Sequence, residues 1–234
     1  MRASILGLAA LAALLAPAAA LGQQDYTERG LSVYAPKPVK PVRGGGAPVA
    51  STGVAAAPAA NLPPPPPPGP QAQAIQQRAK AMLEEGLPRR LTVRNSSTGE
   101  QATVVYWVGG AYDHWELARI SQLLRDHHQN DTVAIDWRLA DLLWLVARMS
   151  GAESVDVHSG YRSEKTNTWL ASMQAGVAPD SLHKTGKALD VSLPGVSPRT
   201  VAALAAALAW GGVGFYGDQG HVHLDVGAVR TWGQ

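Results

Sequence analysis

Six consecutive prolines, in the segment NLPPPPPPGP, divide this chain into a part that cannot form a core and a part that can. Residues 23–70, which end with this segment, are low in large apolar side chains. Such a composition buries too little apolar surface to offset the entropy of folding, and consecutive prolines favour an extended polyproline II spacer. We therefore predict a disordered linker over residues 23–70, which leaves residues 71–234 for a single domain.

The first 22 residues, MRASILGLAALAALLAPAAALG, have the pattern of a secretory signal peptide. Arg2 supplies the positive region, residues 4–15 form the apolar core, and small residues follow Pro17 at the expected cleavage zone. The alternative is an uncleaved membrane anchor, because the apolar run nearly reaches the ~18 residues of a membrane span. We favour cleavage, and so we expect an exported protein of the periplasm or cell envelope with no stable membrane insertion.

The composition of the chain limits the kinds of catalytic and metal-binding site that it can form. The chain has no cysteine, which excludes disulfides, thiolate nucleophiles and cysteine-based zinc sites. Its 20 basic and 18 acidic side chains are scattered, so the net charge is only +2 and nucleic acid is not an expected partner. A metal site in this chain would have to use carboxylates and some of the seven histidines. We expect the protein to be a monomer.

The folded part reads as helices and short strands in one α+β domain, with its core over about residues 88–234. Capping signals predict helices that begin after Asp113, Asp136 and Ser197, and the first of these is expected to run to about His128. Further helices are expected over residues 71–86 and 163–175. Alternating apolar residues predict six strands: LTVRN, ATVVYWV, SVDVH, KALDVSL, GVGFY and HVHLDV. We expect a small, mainly antiparallel sheet flanked by helices.

The segment SLHKTGKALDVSL places two metal-binding side chains seven residues apart. Asp190 falls on the polar face of a predicted strand, opposite the apolar side chains of Leu189 and Val191. His183 precedes that strand in a loop where Gly186 permits a tight bend. The chain can therefore fold His183 back beside Asp190.

The segment GHVHLDVG places His221, His223 and Asp225 on one face of a second strand. Three adjacent titratable groups are costly to bury without a purpose. If this strand pairs with the Asp190 strand, imidazole and carboxylate groups meet on one polar surface. Two histidines and one aspartate with an open fourth position form the ligand set of a catalytic zinc site, where the metal lowers the pKa of a water molecule toward ~7.

The pattern S-x-H-x-x-G-x-A-x-D resembles the signature of the zinc D-Ala-D-Ala peptidases, which share a fold with lysostaphin-type enzymes and the Hedgehog signalling domain. It is filled here by Ser181, His183, Gly186, Ala188 and Asp190. The murein endopeptidase K branch of these peptidases is similar to this chain over about residues 88–234, including SGYRS-x-x-TN and GGVGFYGDQGHVHLDVGAVRTWG. The resemblance implies that His183, Asp190 and His223 bind one zinc ion and that the substrate is a peptidoglycan cross-link. That branch usually has an apolar residue where this chain has His221.

The remaining site predictions concern proton transfer and substrate binding. The resemblance implies that Arg162 faces the site, where a planar cation can stabilise a developing oxyanion. Tyr161 either lines the cleft or packs, and Ser181 either contacts substrate or shapes its loop. His221 and Asp225 are both candidates for the general base, and we favour His221 for proton transfer with Asp225 in support.

The function expected from these residues is hydrolysis of stem-peptide cross-links during cell-wall remodelling. A carboxypeptidase that trims terminal D-Ala would use the same ligands. A non-catalytic peptidoglycan-binding domain with a structural zinc ion is a third possibility, although the presence of His221, Asp225 and Arg162 counts against it.

Overall fold

The computed structural model describes residues 68–173 and 177–233. The predicted signal peptide lies outside the described residues, and so does the predicted linker apart from residues 68–70. Among the described residues, no helix has both the length and the apolar character needed to cross a membrane.

The described chain contains five α-helices. Their bounds are α1 Pro70–Glu84, α2 His114–Leu123, α3 Trp137–Ser150, α4 Glu164–Met173 and α5 Pro198–Leu208. The predicted caps are present. The carboxylate of Asp113 accepts hydrogen bonds from the backbone N–H groups of Trp115 and Glu116, and that of Asp136 accepts one from Arg138. These bonds satisfy N–H groups that the first turn of a helix leaves without partners.

The helix α2 is shorter than predicted, and this expectation was wrong for its last turn. The chain leaves the helix after Leu123 because the carboxylate of Asp126 accepts hydrogen bonds from the backbone N–H groups of His128 and Gln129. Such local side-chain bonds compete with continued helix formation. His127 and His128 therefore lie in a turn and not on a helix.

Eight strands of the described chain form one sheet. They are β1 Arg89–Asn95, β2 Gln101–Val108, β3 Ala111–Tyr112, β4 Val155–Ser159, β5 Ala188–Ser192, β6 Gly212–Tyr216, β7 His221–Asp225 and β8 Arg230–Gly233. Their order across the sheet is β3-β2-β1-β4-β5-β7-β6-β8. Five of the seven strand pairings are antiparallel, whereas β1–β4 and β6–β8 are parallel.

The α+β class and the mainly antiparallel sheet are thus confirmed, but the prediction of a small sheet was wrong. The two strands that sequence analysis missed are β3 and β8. β3 has only two residues, and β8 carries the polar sequence RTWG, so neither shows the apolar alternation that indicates a strand. Both are edge strands that form by pairing with a neighbour already in place.

The core lies between the sheet and its helices, and it holds the two strands that carry the site. Leu189 and Val191 of β5 and Val222 and Leu224 of β7 are buried among residues of the core. Burial of each such side chain contributes about 1.5–3 kcal/mol, less the entropy of ordering it. Because side chains alternate along a strand, this burial turns the intervening polar residues of both strands to the opposite face.

Candidate active site

The pairing of β5 with β7 brings two of the predicted metal ligands together. Asp190 lies directly opposite His223 in the antiparallel register. His183 comes from a 3₁₀ turn, Leu182–Thr185, that precedes β5. The turn ends at Gly186 with a φ of +67°, and a Cβ there would lie 2.5 Å from the carbonyl oxygen of Ala134. Glycine is therefore required at the bend that returns His183 to the strand.

Three acceptor atoms converge at this point. His183 Nε2 lies 3.2 Å from His223 Nδ1 and 3.4 Å from Asp190 Oδ1, and His223 Nδ1 lies 2.9 Å from Asp190 Oδ1. Tetrahedral zinc with bonds of about 2.0–2.1 Å places its ligand atoms about 3.3 Å apart. The observed triangle therefore fits three ligands of a tetrahedral ion, with the fourth position toward the cleft.

The hydrogen bonds of the two imidazoles select the nitrogen that each presents to this triangle. His183 Nδ1 lies 2.8 Å from the carbonyl oxygen of Gly160, which can only accept, so Nδ1 carries the proton. His223 lies between two carboxylates, with Nε2 3.2 Å from Asp225 Oδ2 and Nδ1 2.9 Å from Asp190 Oδ1, and both oxygens can only accept. With a cation in the triangle, the proton of His223 would stay on Nε2, and the lone pairs of His183 Nε2 and His223 Nδ1 would face the ion.

The pKa values of the two histidines shift in opposite directions. Burial alone would lower the pKa of His223, but its hydrogen bonds to Asp190 and Asp225 outweigh burial and raise it. The His183 side chain is almost fully buried, and this desolvation lowers its pKa, so the neutral imidazole that a metal requires is favoured. Burial opposes ionisation of Asp190, but the neighbouring histidines and the Arg162 guanidinium outweigh it and hold the carboxyl pKa well below its usual range. Asp190 is therefore an anion at neutral pH.

Asp225 lies behind His223 and is fully buried. Its Oδ1 accepts hydrogen bonds from the backbone N–H groups of Gly212 and Gly227, at 2.8 Å each, and Oδ2 accepts from Arg230 Nη2 at 2.7 Å. Although burial alone would raise the pKa of this carboxyl, these bonds and the one from His223 lower it. Asp225 thus orients a ligand histidine through a carboxylate whose oxygens are both occupied.

Arg162 lies beside the triangle. Its Nη2 donates to Asp190 Oδ2 at 2.5 Å, and its Nε donates to the hydroxyl of Ser159 at 2.7 Å. The guanidinium therefore holds the carboxylate whose other oxygen points to the two histidines. Arg162 also lines the open cleft.

His221 lies on the same strand face as His223 and lines the same cleft. Its ring is 5.1 Å from that of Tyr216 and 5.6 Å from that of His158, between ring centroids. His158 Nε2 lies 2.7 Å from the hydroxyl of Ser192. The side chains of His158 and Tyr216 therefore pack against His221. Of the three histidines predicted to belong to the site, only His221 lies outside the triangle.

The cleft over the triangle has a volume of about 420 Å³. Ser181 lies in its wall, and its hydroxyl accepts a hydrogen bond from the backbone N–H of His183, so it shapes the ligand-bearing turn. Tyr161 lies in the wall of an adjoining cavity instead, where its hydroxyl donates to Asp131 Oδ2 at 3.3 Å.

Four residues that contribute to the site were not assigned a role from sequence: Gly160, Gly212, Arg230 and Trp232. Gly160 contributes only a carbonyl oxygen, which no sequence signal reveals. Arg230 follows Asp225 by five residues and donates to its carboxylate. Because a buried carboxylate requires a partner, the nearby arginine could have been predicted from the sequence. Trp232 packs on His223 with 5.1 Å between ring centroids. Gly212 leaves room for the Asp225–Arg230 pair, because a Cβ there would lie 2.3 Å from the Asp225 carboxylate.

An α+β domain with a His–Asp–His triangle in an open cleft has the features of metallopeptidases that bind one metal ion. Comparison with known families agrees, since the family described as peptidoglycan L,D-endopeptidase MepK matches residues 84–232. The chain belongs to this family, and the resemblance inferred from its motifs is confirmed. The family is zinc-dependent, and the buried triangle of this chain is a group that can hold a metal ion.

Two relatives named peptidoglycan L,D-endopeptidase MepK, from Escherichia coli (strain K12) and Shigella flexneri, are each 36% identical to this chain over 155 residues. The matched region covers 66% of this chain and 85% of each relative. A relative from Haemophilus influenzae is 34% identical over 154 residues, which cover 65% of this chain and 83% of the relative.

Proposed function

We propose that this protein is a zinc-dependent murein endopeptidase that hydrolyses stem-peptide cross-links of peptidoglycan. One observation carries the proposal: three acceptor atoms, His183 Nε2, Asp190 Oδ1 and His223 Nδ1, lie 2.9–3.4 Å apart in the floor of a cleft. These atoms would hold one zinc ion. The names of the relatives supply the substrate class, peptidoglycan, and the bond class, L,D.

Zinc, when bound, supplies a Lewis acid toward a carbonyl oxygen and makes water acidic enough to serve as a nucleophile near neutral pH. The protein's own residues then move protons and hold the substrate. Arg162 retains N–H groups in the cleft beyond those that bind Asp190 and Ser159, and these can stabilise negative charge on the substrate. Ser181 and Tyr161 are the proposed substrate contacts on either side of Arg162.

His221 is the proposed proton carrier. It lines the cleft, and its imidazole can accept a proton from water and return one to the leaving amine. Asp225 is less suited to this task, because it is fully buried and both of its oxygens accept hydrogen bonds from other groups. Its proposed role is to orient His223. This agrees with the preference stated from sequence, in which His221 transfers the proton and Asp225 supports it.

The site of action would be the periplasm or cell envelope, where peptidoglycan lies. This proposal rests on the signal-peptide pattern of residues 1–22 and on the peptidoglycan substrate of the named relatives.

Purified protein tests the proposed function directly. Incubation with cross-linked muropeptide dimers should yield monomers, and a chelator should abolish the reaction until zinc is added back. His183→Ala should remove both the bound metal and the activity, because it deletes one ligand of the triangle. Cleavage that continues after complete removal of metal would refute the proposal.

A further inference from the structure

Tyr216 stands beside the metal triangle, in the wall of the same cleft. In the antiparallel register it lies opposite His221, and its neighbour two positions back, Gly214, lies opposite His223. Tyr216 and His221 both line the cleft, with 5.1 Å between their ring centroids. Tyr216 is therefore next to the proposed proton carrier and one step along the strand face from a metal ligand.

The indole N–H of Trp232 fixes the hydroxyl of Tyr216. Trp232 Nε1 lies 2.9 Å from the hydroxyl oxygen of Tyr216. An indole nitrogen only donates, so the hydroxyl oxygen must accept this bond and retains its own proton for another acceptor. Among the residues that the structure describes, this is the one hydrogen bond of the hydroxyl. The proton of Tyr216 is therefore available to a group that enters the cleft.

Trp232 also ties this hydroxyl to the metal ligands. Its ring packs on His223 with 5.1 Å between ring centroids, and it lines the cleft together with Tyr216. Gly214 lies opposite both His223 and Trp232 in the sheet, and a Cβ at Gly214 would lie 2.6 Å from Trp232 Cε2. Glycine is therefore required for the indole to occupy this position. The hydroxyl, the indole and the ligand imidazole form one packed unit.

Tyr216 and Arg162 flank the triangle from opposite sides. The strand order places β5 and β7, which carry Asp190 and His223, between β4 and β6. Arg162 follows β4, whereas Tyr216 is the last residue of β6. A substrate carbonyl above the triangle would therefore meet a cationic donor on one side and a neutral hydroxyl donor on the other.

Hydrolysis of a peptide bond develops negative charge on the carbonyl oxygen. Addition of water forms a C–O bond, moves the π electrons of the carbonyl onto its oxygen and passes a proton of the water to the base, His221. A donor that is already in place binds this oxyanion more strongly than it binds the neutral carbonyl, and so it lowers the barrier. Cleavage of the C–N bond then restores the carbonyl, and the leaving amine takes the proton back from the base.

On the basis of the proposed function, we infer that Tyr216 is a catalytic residue whose hydroxyl donates a hydrogen bond to this oxyanion, across the triangle from Arg162. Tyr216 keeps its proton throughout the reaction, so its role is distinct from that of His221. Trp232 is a positioning residue, because its indole N–H occupies the hydroxyl oxygen and leaves only the proton to face the substrate.

Tyr216→Phe deletes the hydroxyl and keeps the ring. With a cross-linked muropeptide dimer as substrate, kcat should fall by about 10²-fold with little change in KM, as expected for the loss of one oxyanion donor. Zinc affinity should stay at the wild-type value, because no ligand of the triangle is changed. A phosphinate analogue of the cross-link, whose tetrahedral P–O⁻ group replaces the scissile carbonyl, should bind the variant about 10²-fold more weakly.

Trp232→Phe tests whether the indole N–H acts through Tyr216. It keeps an aromatic ring beside His223 but removes the donor to the hydroxyl oxygen. We expect kcat to fall by about fivefold, the equivalent of one ordinary hydrogen bond. In the Tyr216→Phe background the same change should have no further effect on kcat, because its target is already absent. Additive losses in the double variant would contradict the positioning role.

Tyr112→Phe is the matched control. It also deletes a tyrosine hydroxyl, which donates to Asp141 Oδ2 at 2.6 Å, but Tyr112 lies on β3 at the opposite edge of the sheet from β8. It should change neither kcat nor phosphinate affinity. An unchanged kcat in Tyr216→Phe, or a loss of kcat matched by an equal loss of bound zinc, would overturn the inference and leave the proposed function intact. Failure of the wild-type protein to cut the dimer would refute the proposed function, and the inference with it.

Discussion

Replacement of Asp225 by asparagine tests how the metal triangle is held. The substitution keeps the size of the side chain but turns one acceptor oxygen into a donor NH₂ group. In the wild-type protein, Oδ1 accepts from two backbone N–H groups at 2.8 Å, and Oδ2 accepts from His223 Nε2 at 3.2 Å and from Arg230 Nη2 at 2.7 Å. Neither orientation of an amide can satisfy donors on both sides.

The substitution should lower both the folding free energy and the affinity for zinc. Unsatisfied donors at a fully buried position should cost about 1–3 kcal/mol of folding free energy. An NH₂ group that faces His223 would also favour the tautomer with the proton on Nδ1, the atom that lies in the triangle. Loss of a group that orients a metal ligand typically lowers metal affinity by about 10–100-fold.

The assay is competition for zinc against a chromophoric chelator, accompanied by urea denaturation of the metal-free protein. Asp218→Asn is the matched control, because Asp218 is exposed in the turn before β7 and should change neither quantity. His221→Gln provides the contrast: kcat should fall by about 10²–10⁴-fold while zinc affinity stays at the wild-type value.

The reasoning would be refuted if Asp225→Asn bound zinc as tightly as the wild-type protein and yet lost its kcat. That result would make Asp225 the group that transfers the proton, and the role proposed for His221 would have to be given up.

Two further predictions concern stability. Burial alone would raise the pKa of the Asp126 carboxyl, but its hydrogen bonds outweigh burial and lower that pKa from 3.8 to about 2. The ionised carboxylate should therefore contribute about 2 kcal/mol to the free energy of unfolding above pH 4, and this contribution should be lost as the pH falls toward 2. Urea denaturation should therefore show a large deficit for Asp126→Asn at pH 7 that shrinks by pH 2; a constant deficit would contradict the assignment. Arg89 donates to both oxygens of buried Asp141 at 2.8 Å, so Arg89→Met should cost about 3–5 kcal/mol. The double variant with Asp141→Asn removes the charge but keeps an acceptor for the hydroxyls of Tyr106 and Tyr112, so it should recover part of that loss. No recovery would argue against an uncompensated charge as its cause.

Much of the fold and the metal triangle was predictable because the signals are local. The caps at Asp113 and Asp136 depend on residues within one helical turn, and the alternation of HVHLDV specifies which side chains share a face. The motif that contains His183 and Asp190, together with the family resemblance, predicted His183, Asp190 and His223 as metal ligands before their positions were known. The early end of α2 was missed because the hydrogen bonds of Asp126 compete with a continued apolar pattern.

The sequence by itself determined which side chains can bind a metal, since residue type and strand periodicity are properties of short segments. Only the tertiary structure decided which nitrogen of each histidine faces the triangle, because those choices depend on the carbonyl of Gly160 and the carboxylate of Asp225. It also decided that Arg162 binds Asp190. The Gly160–His183 and Arg162–Asp190 contacts join residues that are 23 and 28 positions apart, and strand register and the packing of the core set their distances.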